Sequence, residues 1–144
     1  MWSDTFLLLE RGHLLRLIVW GAASVLLGTI MLLLAARAAA RPPFLHHFAL
    51  QTAAWGAIDL VLGLLAFRNL APRDLQDAAQ LDRFLWLNLG LDAGYVGIGA
   101  TLAIAAWVLG RRWGGVGAGV AIVIQGLALL VLDARFLFII DRFV

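Results

Sequence analysis

The sequence predicts an all-α integral membrane protein, a four-helix up-down bundle with a short interfacial segment between helices two and three. Hydrophobic residues make up 63% of the 144 residues, whereas soluble domains contain roughly 45–50%. The mean hydropathy is +0.95. The apolar residues form four long runs, and a helix needs about 20 such residues to cross a hydrocarbon core of about 30 Å. We therefore expect a single four-span domain over residues 1–144.

Charged or helix-breaking residues bound each of the four runs. The spans are placed at residues 14–36, 44–67, 84–109 and 115–140. Arg37 follows the first run, and Pro43 stands where a helix start tolerates its missing N–H. Closed β-barrels also cross membranes, but their strands alternate apolar and polar residues in short segments. These runs are continuous and longer, which favours helices.

The three connections between the spans differ in length and charge. Residues 38–43 and 110–114 are short, so spans one and two, and spans three and four, should be antiparallel neighbours. The middle connection, residues 69–83, is longer, and Pro72 followed by acidic residues is typical of a helix start. Its leucines could lie on the membrane surface, which predicts the interfacial segment. We expect a similar segment in the first dozen residues.

The composition excludes several classes of function. Cysteine is absent, which excludes disulfides, thiol redox centres and thiolate-bound metals. The 11 basic residues are all arginines scattered at the ends of the apolar runs, whereas nucleic-acid binding needs them on one face. Known catalytic motifs are missing, so the sequence argues against an enzyme. We predict no metal site and no nucleic-acid partner, and the cofactor is unknown.

Acidic residues inside the apolar runs are the strongest functional signal. Asp59 lies eight residues before the end of span two, and Asp92 lies eight residues after the start of span three. In an up-down bundle these ends face the same side, so both carboxylates should sit at a similar depth of roughly 12 Å. Asp133 of span four could join that layer. Ionisable residues at this depth are functional-site candidates by default, and Arg16 and Arg135 are the candidate counter-charges.

The third span carries two opposite stripes at helical spacing. Asn88, Asp92 and Tyr95 form a polar stripe that should face the bundle interior or a wet cavity. A second stripe allows a neighbouring backbone to come close. It consists of Gly90, Gly94, Gly97 and Thr101. Helix three should therefore be central, or its glycine face should meet a second subunit or another membrane protein.

Polar residues spaced by four run along the second span. His47, Gln51, Trp55 and Asp59 form a line that drifts slowly around the helix, and Gln125 of span four lies beside its inner part. One interpretation is a polar path that binds a cation, relays protons or holds the head of an amphipathic ligand. The alternative is structural, since intramembrane polar side chains also form interhelical hydrogen bonds worth about 0.6 kcal/mol.

Two short segments match at equal offsets. Residues 20–22 and 55–57 both read Trp-Gly-Ala, and leucine and glycine follow at the same distances in both. Because spans one and two run in opposite directions, the match could be the trace of an inverted repeat. Chance is the better explanation on composition alone, since these residue types are frequent here.

The distribution of arginine favours cytoplasmic termini. Seven arginines lie on the side of the termini and four on the other, and lysine and arginine are enriched in cytoplasmic loops. The first group is Arg11, Arg16, Arg68, Arg73, Arg83, Arg135 and Arg142, and the second is Arg37, Arg41, Arg111 and Arg112. If Arg16 and Arg135 lie inside the bundle, the margin falls to five against four.

The segment His46–Asp59, HHFALQTAAWGAID, together with the four spans, resembles small bacterial four-span membrane proteins of uncharacterised function. In size and topology the chain is also distantly similar to the DoxX-like families. Neither resemblance implies an activity. The absence of lysine and the Ala/Leu/Gly-rich composition look like the coding bias of a GC-rich bacterium, so we expect the bacterial inner membrane.

Three hypotheses about function follow. The first is binding or transport of a small ligand, cation or proton at the Asp59/Asp92 layer. The second is a structural or accessory subunit that assembles with itself or with a partner through glycine-faced helices. The third, with the least support, is a lipid-modifying enzyme that uses the two carboxylates in acid–base chemistry.

Overall fold

The computed structural model describes residues 2–40 and 42–142 and contains four α-helices in this part of the chain. They are α1 (Trp2–Arg37), α2 (Pro43–Arg68), α3 (Leu75–Val108) and α4 (Trp113–Ile140). Each is long and apolar enough to cross a membrane. The predicted all-α class and the four-helix bundle are therefore confirmed, and the chain is a multi-pass membrane protein. Arg41, one of the four arginines expected on the side opposite the termini, lies outside the described residues.

Two helices begin earlier than the hydropathy pattern indicates. The first dozen residues, expected to be a separate segment, are part of α1, and residues 75–83 form the first turns of α3. The start of α3 is fixed by Asp74, whose side chain accepts a hydrogen bond of 2.8 Å from the backbone N–H of Asp77. An N-cap of this kind satisfies an end donor of the helix. The connection between α2 and α3 is therefore only residues 69–74, and no separate interfacial helix lies there.

The helices pack in the order α1, α2, α4, α3. α1 packs along α2, α3 packs along α4, and α4 also contacts α2 and, less extensively, α1. Among the described residues, no Cα of α3 comes within 8 Å of a Cα of α1 or α2. The expectation that helix three is central is therefore wrong, and α4 holds that place. α4 can serve several neighbours because small buried residues such as Gly117 and Gly119 point to different partners.

Glycines set the close approach of α1 and α2. A Cβ built on Gly21 would lie 2.6 Å from the backbone nitrogen of Leu60, and one on Gly28 would lie 2.6 Å from that of Ala53. Real side chains do not tolerate such distances, so only glycine allows these backbones to meet. Gly21 and Gly56, the glycines of the two Trp-Gly-Ala segments, face each other at this crossing.

The α3–α4 pair is built in the same way. A Cβ on Gly99 of α3 would lie 2.8 Å from the carbonyl oxygen of Gly119 of α4. Further along α4, a Cβ on Gly126 would lie 3.1 Å from the carbonyl oxygen of Asp92. Both antiparallel pairs thus rest on glycine contacts, as expected where no hydrophobic effect drives helices together inside a bilayer.

A cluster of apolar side chains closes the end of the bundle that holds the termini. It joins α1, α3 and α4 and consists of Phe6, Ala78, Leu85, Phe136, Leu137 and Ile140. α2 takes no part, because it ends at Arg68, where Asn69 donates a side-chain hydrogen bond of 2.9 Å to the carbonyl oxygen of Leu65. Because α2 ends at Arg68, the connection of residues 69–74 has room beside α1.

Candidate functional site

A cavity of about 700 Å³ lies between the helices, toward the end that holds the termini. All four helices and the α2–α3 connection contribute to its wall, which mixes leucines with polar side chains. The volume is within the range of small-molecule sites, about 300–1,000 Å³. Its acidic residues are Glu10, Asp59, Asp92 and Asp133.

Three aspartates from three helices face this cavity. Asp59, Asp92 and Asp133 are 5%, 4% and 7% exposed. The charge of Asp133 acts on both of the others, so the three form one electrostatic group. Asp59 follows Gly56 by three residues, and Asp92 is held against Gly126, so the glycine contacts fix both positions. The structure thus brings Asp59 and Asp92 to one cavity, as their depths predicted.

Two carboxylate oxygens in the cavity lack a donor. Asp59 Oδ2 and Asp92 Oδ2 are buried and find no hydrogen-bond partner among the residues that the structure describes. We call this pair the open oxygens. A buried polar atom without a partner costs about 1–3 kcal/mol, and more when it is charged. The open oxygens are therefore positions at which a ligand that donates hydrogen bonds would be bound favourably.

Asp133 has partners of its own. His13 Nε2 lies 3.4 Å from Asp133 Oδ1, and the imidazole stacks on Phe136 with ring centroids 4.4 Å apart. The side chain of Asn88 also contacts this carboxylate. His13 Nδ1 is buried and faces no hydrogen-bonding atom of the described chain. His13 was not among the predicted site residues, although it stands on the α1 face that also carries Gly21 and Gly28.

An ion pair lies at the end of the cavity near the termini. Arg73 donates two hydrogen bonds to Glu10, Nε to Oε2 at 2.8 Å and Nη2 to Oε1 at 2.6 Å. Glu10 is 5% exposed. The hydrogen bonds to Glu10 raise the pKa of Arg73, so the guanidinium stays charged. Sequence reasoning missed this pair because Glu10 lies in the stretch that was assigned to the membrane surface.

An aromatic pair spans the gap between α2 and α3. The rings of Trp55 and Tyr95 meet edge to face, with centroids 4.9 Å apart and an interplanar angle of 60°. Both line the deep end of the cavity. Tyr95 and Asn88 therefore lie where the polar stripe of the third span placed them, on the cavity side of α3.

Three of the predicted ligand residues stand away from the cavity wall. Gln125 accepts a hydrogen bond of 2.7 Å from Trp20 Nε1 and donates one of 3.1 Å to Ser24 Oγ, so it ties α4 to α1. His47 Nδ1 lies 2.9 Å from the carbonyl oxygen of Pro43 at the opposite end of the bundle. Gln51 is half-buried on α2 and does not line the cavity. Their role in ligand binding stays a prediction.

The candidate counter-charges also lie elsewhere. Arg16 and Arg135 are exposed and do not line the cavity. Arg16 borders an apolar groove between α1 and α4, where Val19 and Val131 are among its neighbours. Within residues 2–40 and 42–142, neither arginine pairs with Asp59 or Asp92.

The glycine stripe of the third span faces outward. Apart from the adjacent residues and backbone of α3 itself, no atom of the described chain lies within 4 Å of a Cβ built on Gly90, Gly94 or Gly97. Thr101 is exposed and donates a hydrogen bond of 2.8 Å to the carbonyl oxygen of Gly97. This face of α3 is therefore open to lipid or to another helix, and assembly through it stays a prediction.

The acids surround the cavity without converging on one point. In the two described ranges, no three His, Asp or Glu side chains come close enough to hold one metal ion.

The comparisons with known proteins add one result. The family model of DUF6992, a family of unknown function, matches residues 16–134. The match covers most of the chain and includes all three cavity aspartates, whereas Glu10 and His13 precede it. No curated protein and no solved structure matches the chain.

Proposed function

The chain belongs to the DUF6992 family of unknown function, and we propose that it binds a small cationic ligand within the membrane. The observation that carries the proposal is the pair of open oxygens, Asp59 Oδ2 and Asp92 Oδ2, buried in the wall of one cavity. Intramembrane carboxylates are costly unless a partner compensates them. A cation with N–H donors would supply both the charge and the hydrogen bonds.

The two basic side chains of the cavity wall already have acidic partners. Arg73 is held by Glu10, and His13 lies against Asp133. Asp59 and Asp92 are left with a shared negative charge in a mostly apolar wall. Transport of a cation or proton is the extended form of this proposal, and it would require a route from the cavity past Gln51 and His47 to the opposite surface.

The test is a pair of neutralising substitutions with a matched control. The purified protein is screened for ligand-dependent thermal stabilisation with Na⁺, methylammonium, guanidinium and choline, since a ligand that binds only the folded state raises the melting temperature. We expect at least one organic cation to raise it in the wild type and in Asp141→Asn, whose carboxylate is exposed at the end of α4. The double variant Asp59→Asn/Asp92→Asn should show no response.

Two results would contradict the proposal. One is an equal thermal response in the wild type and in the double variant, and the other is the absence of any response to the four cations in the wild type. The double variant should remain folded, because amides have the size of the carboxylates and remove an unpaired buried charge. Circular dichroism verifies that its helix content is unchanged.

A second candidate function is assembly through the glycine face of α3. The open space at Gly90, Gly94 and Gly97 supports it, because small residues let a second helix approach closely. We expect Gly94→Leu/Gly97→Leu to reduce the oligomeric state measured by native mass spectrometry. The matched control is Ala54→Leu/Ala57→Leu, which has the same spacing on the exposed face of α2. Unchanged assembly in the glycine variant would refute this candidate.

We further propose a location in the bacterial inner membrane with cytoplasmic termini. The excess of arginine on the side of the termini supports this orientation. Arg16 and Arg135 are exposed rather than inside the bundle, so both count toward that excess. A lipid-modifying activity has less support, because the described residues that line the cavity include no serine, threonine or cysteine beside the carboxylates.

A further inference from the structure

We infer that the ligand is an amphipathic amine, with a protonated amino group at one end of an apolar chain, and that it enters sideways from the bilayer between α2 and α3. The inference rests on the proposed function and adds the class of the ligand and its route.

The cavity opens between α2 and α3. Its strongly exposed wall residues all lie on these two helices, and they include Ile58 and Leu62 on α2 and Phe84 and Leu91 on α3. In the described chain, the backbones of α2 and α3 do not approach each other, so the two helices leave a slot. Apolar residues that are exposed along membrane-spanning helices face lipid, so the slot opens into the bilayer.

An ion pair and a packed apolar cluster lie at the end of the cavity near the termini. The ion pair is that of Glu10 and Arg73. Next to this pair, Phe6 and Phe136 belong to the fully packed cluster that joins α1, α3 and α4. A ligand that came from this aqueous side would meet the ion pair and the packed cluster, whereas the slot between α2 and α3 is lined by apolar side chains.

The interior of the cavity matches an amino group. An alkylammonium presents three N–H donors and no acceptor, and the open oxygens supply two buried acceptors. His13 Nδ1 offers a third acceptor in the tautomer protonated on Nε2. Trp55 and Tyr95 border the same space, and aromatic faces attract ammonium groups. Because these acceptors stand apart around the wall, one ammonium group does not donate to all of them at once, but its charge acts on both carboxylates.

The wall of the slot matches an apolar chain. Ile58 and Leu62 border it on one side, and Phe84 and Leu91 on the other. Burial of each CH₂ group contributes about 0.8 kcal/mol relative to water, although a chain that leaves the bilayer gains less. The carboxylates would repel the head group of an anionic lipid. A neutral hydrocarbon would leave the open oxygens without a hydrogen-bond donor.

The first experiment tests the ligand class. The protein in phosphatidylcholine nanodiscs is photolabelled with a dodecylamine that carries a diazirine in its chain, and the labelled peptides are mapped by mass spectrometry. We expect labelling of the α2 and α3 segments that contain Leu62 and Leu91. Labelling by this probe should be at least tenfold weaker in the variant Asp59→Asn/Asp92→Asn. Labelling of the wild type by the corresponding dodecanol probe should also be at least tenfold weaker. Equal labelling by the alcohol would overturn the assignment of an amine.

Methylamine separates this inference from the proposed function. The inference predicts that dodecylamine competes with the photoprobe at a concentration at least tenfold lower than methylamine does. If methylamine competes equally well, the amphipathic ligand class is wrong while the cation site stands. If neither amine competes and the wild type also shows no thermal response to the small cations, both proposals fail.

The second experiment tests the route. Leu62→Trp/Leu91→Trp adds bulk on both sides of the slot, and Leu26→Trp/Leu33→Trp adds the same bulk on the exposed face of α1. We expect the rate at which dodecylamine protects against photolabelling to fall at least fivefold in the first variant only. Circular dichroism verifies that both variants keep their helix content. Equal rates in the two variants would refute lateral entry.

Discussion

Gly21 of α1 and Gly56 of α2 face each other so closely that a methyl group built on either would lie 2.9 Å from the carbonyl oxygen of the other. The contact is reciprocal, as expected for two matching segments that run in opposite directions. Gly99 of α3 and Gly119 of α4 form a second reciprocal contact of this kind. In each antiparallel pair, the two backbones are therefore held in close contact at glycines. Such glycine contacts also fix the positions of Asp59 and Asp92.

Replacing Gly21 with alanine should destabilise the protein. The new methyl would lie 2.6 Å from the backbone nitrogen of Leu60, which cannot move aside without shifting α2. Overpacking of this kind costs about 1–3 kcal/mol. The free energy of unfolding in mixed micelles measures the loss. Gly90→Ala is the control, since its methyl would enter open space, and an equal loss in both variants would contradict the packing argument.

Arg73→Met should destabilise the protein by about 1–3 kcal/mol, the cost of leaving a buried polar group without its hydrogen bonds. The substitution leaves the Glu10 carboxylate buried without its two hydrogen bonds. The double variant Glu10→Met/Arg73→Met removes both charges and should recover most of the loss. A double-mutant cycle on unfolding free energies measures the coupling, and strictly additive losses would show that the pair contributes nothing.

Gln125→Leu should weaken the bundle without touching ligand binding. The variant loses the hydrogen bonds that connect Gln125 to Trp20 and Ser24. Interhelical bonds in membranes are worth about 0.6 kcal/mol each, so we expect a loss of about 1 kcal/mol in the free energy of unfolding. The melting-temperature response to the organic cations should persist. Its disappearance would place Gln125 in the binding site and contradict the structural role.

Single cysteines can determine the orientation, because the native chain has none. Ala38→Cys lies in the α1–α2 connection, and Gln76→Cys lies in the first turn of α3 on the opposite side. Both positions are exposed. With cytoplasmic termini, an impermeant maleimide added to intact bacterial cells should label only Ala38→Cys. Lysed membranes should allow labelling of both, and the reverse pattern in intact cells would overturn the orientation.

Hydropathy identifies the helices because the thickness of the hydrocarbon core fixes their number and most of their ends. It predicts the end of α1 at residue 36 against Arg37 in the structure, and the end of α4 at residue 140, as observed. It places the starts of α1 and α3 too late, since a helix that continues beyond the membrane carries no hydropathy signal there. Hydropathy also does not predict which helices are neighbours, because up-down connections allow more than one arrangement of the four helices.

The site was predicted in part, for a geometric reason. Counting residues from the span ends places Asp59 and Asp92 at one depth, and the structure brings them to one cavity. Residues spaced by four turn by about 40° at each step, so His47 lies about 120° around α2 from Asp59. That rotation separates it from the cavity wall. Glu10 and Arg73, 63 positions apart in the chain, meet only because α2 ends early.

The outer position of α3 gives the bundle an uneven stiffness. Among the described residues, the backbone of α3 lies along α4 alone, while side chains near the termini pack it against α1 and the ring contact between Trp55 and Tyr95 reaches across to α2. An aromatic contact is worth about 0.5–1.5 kcal/mol, whereas parting α3 from α4 would undo backbone packing along glycines such as Gly99 and Gly126. Thermal motion should therefore widen the gap between α2 and α3 first. The gap between α2 and α3, which leads to the buried acids, is therefore the side of the bundle that opens, so the width of the slot and the access to Asp59 would fluctuate together.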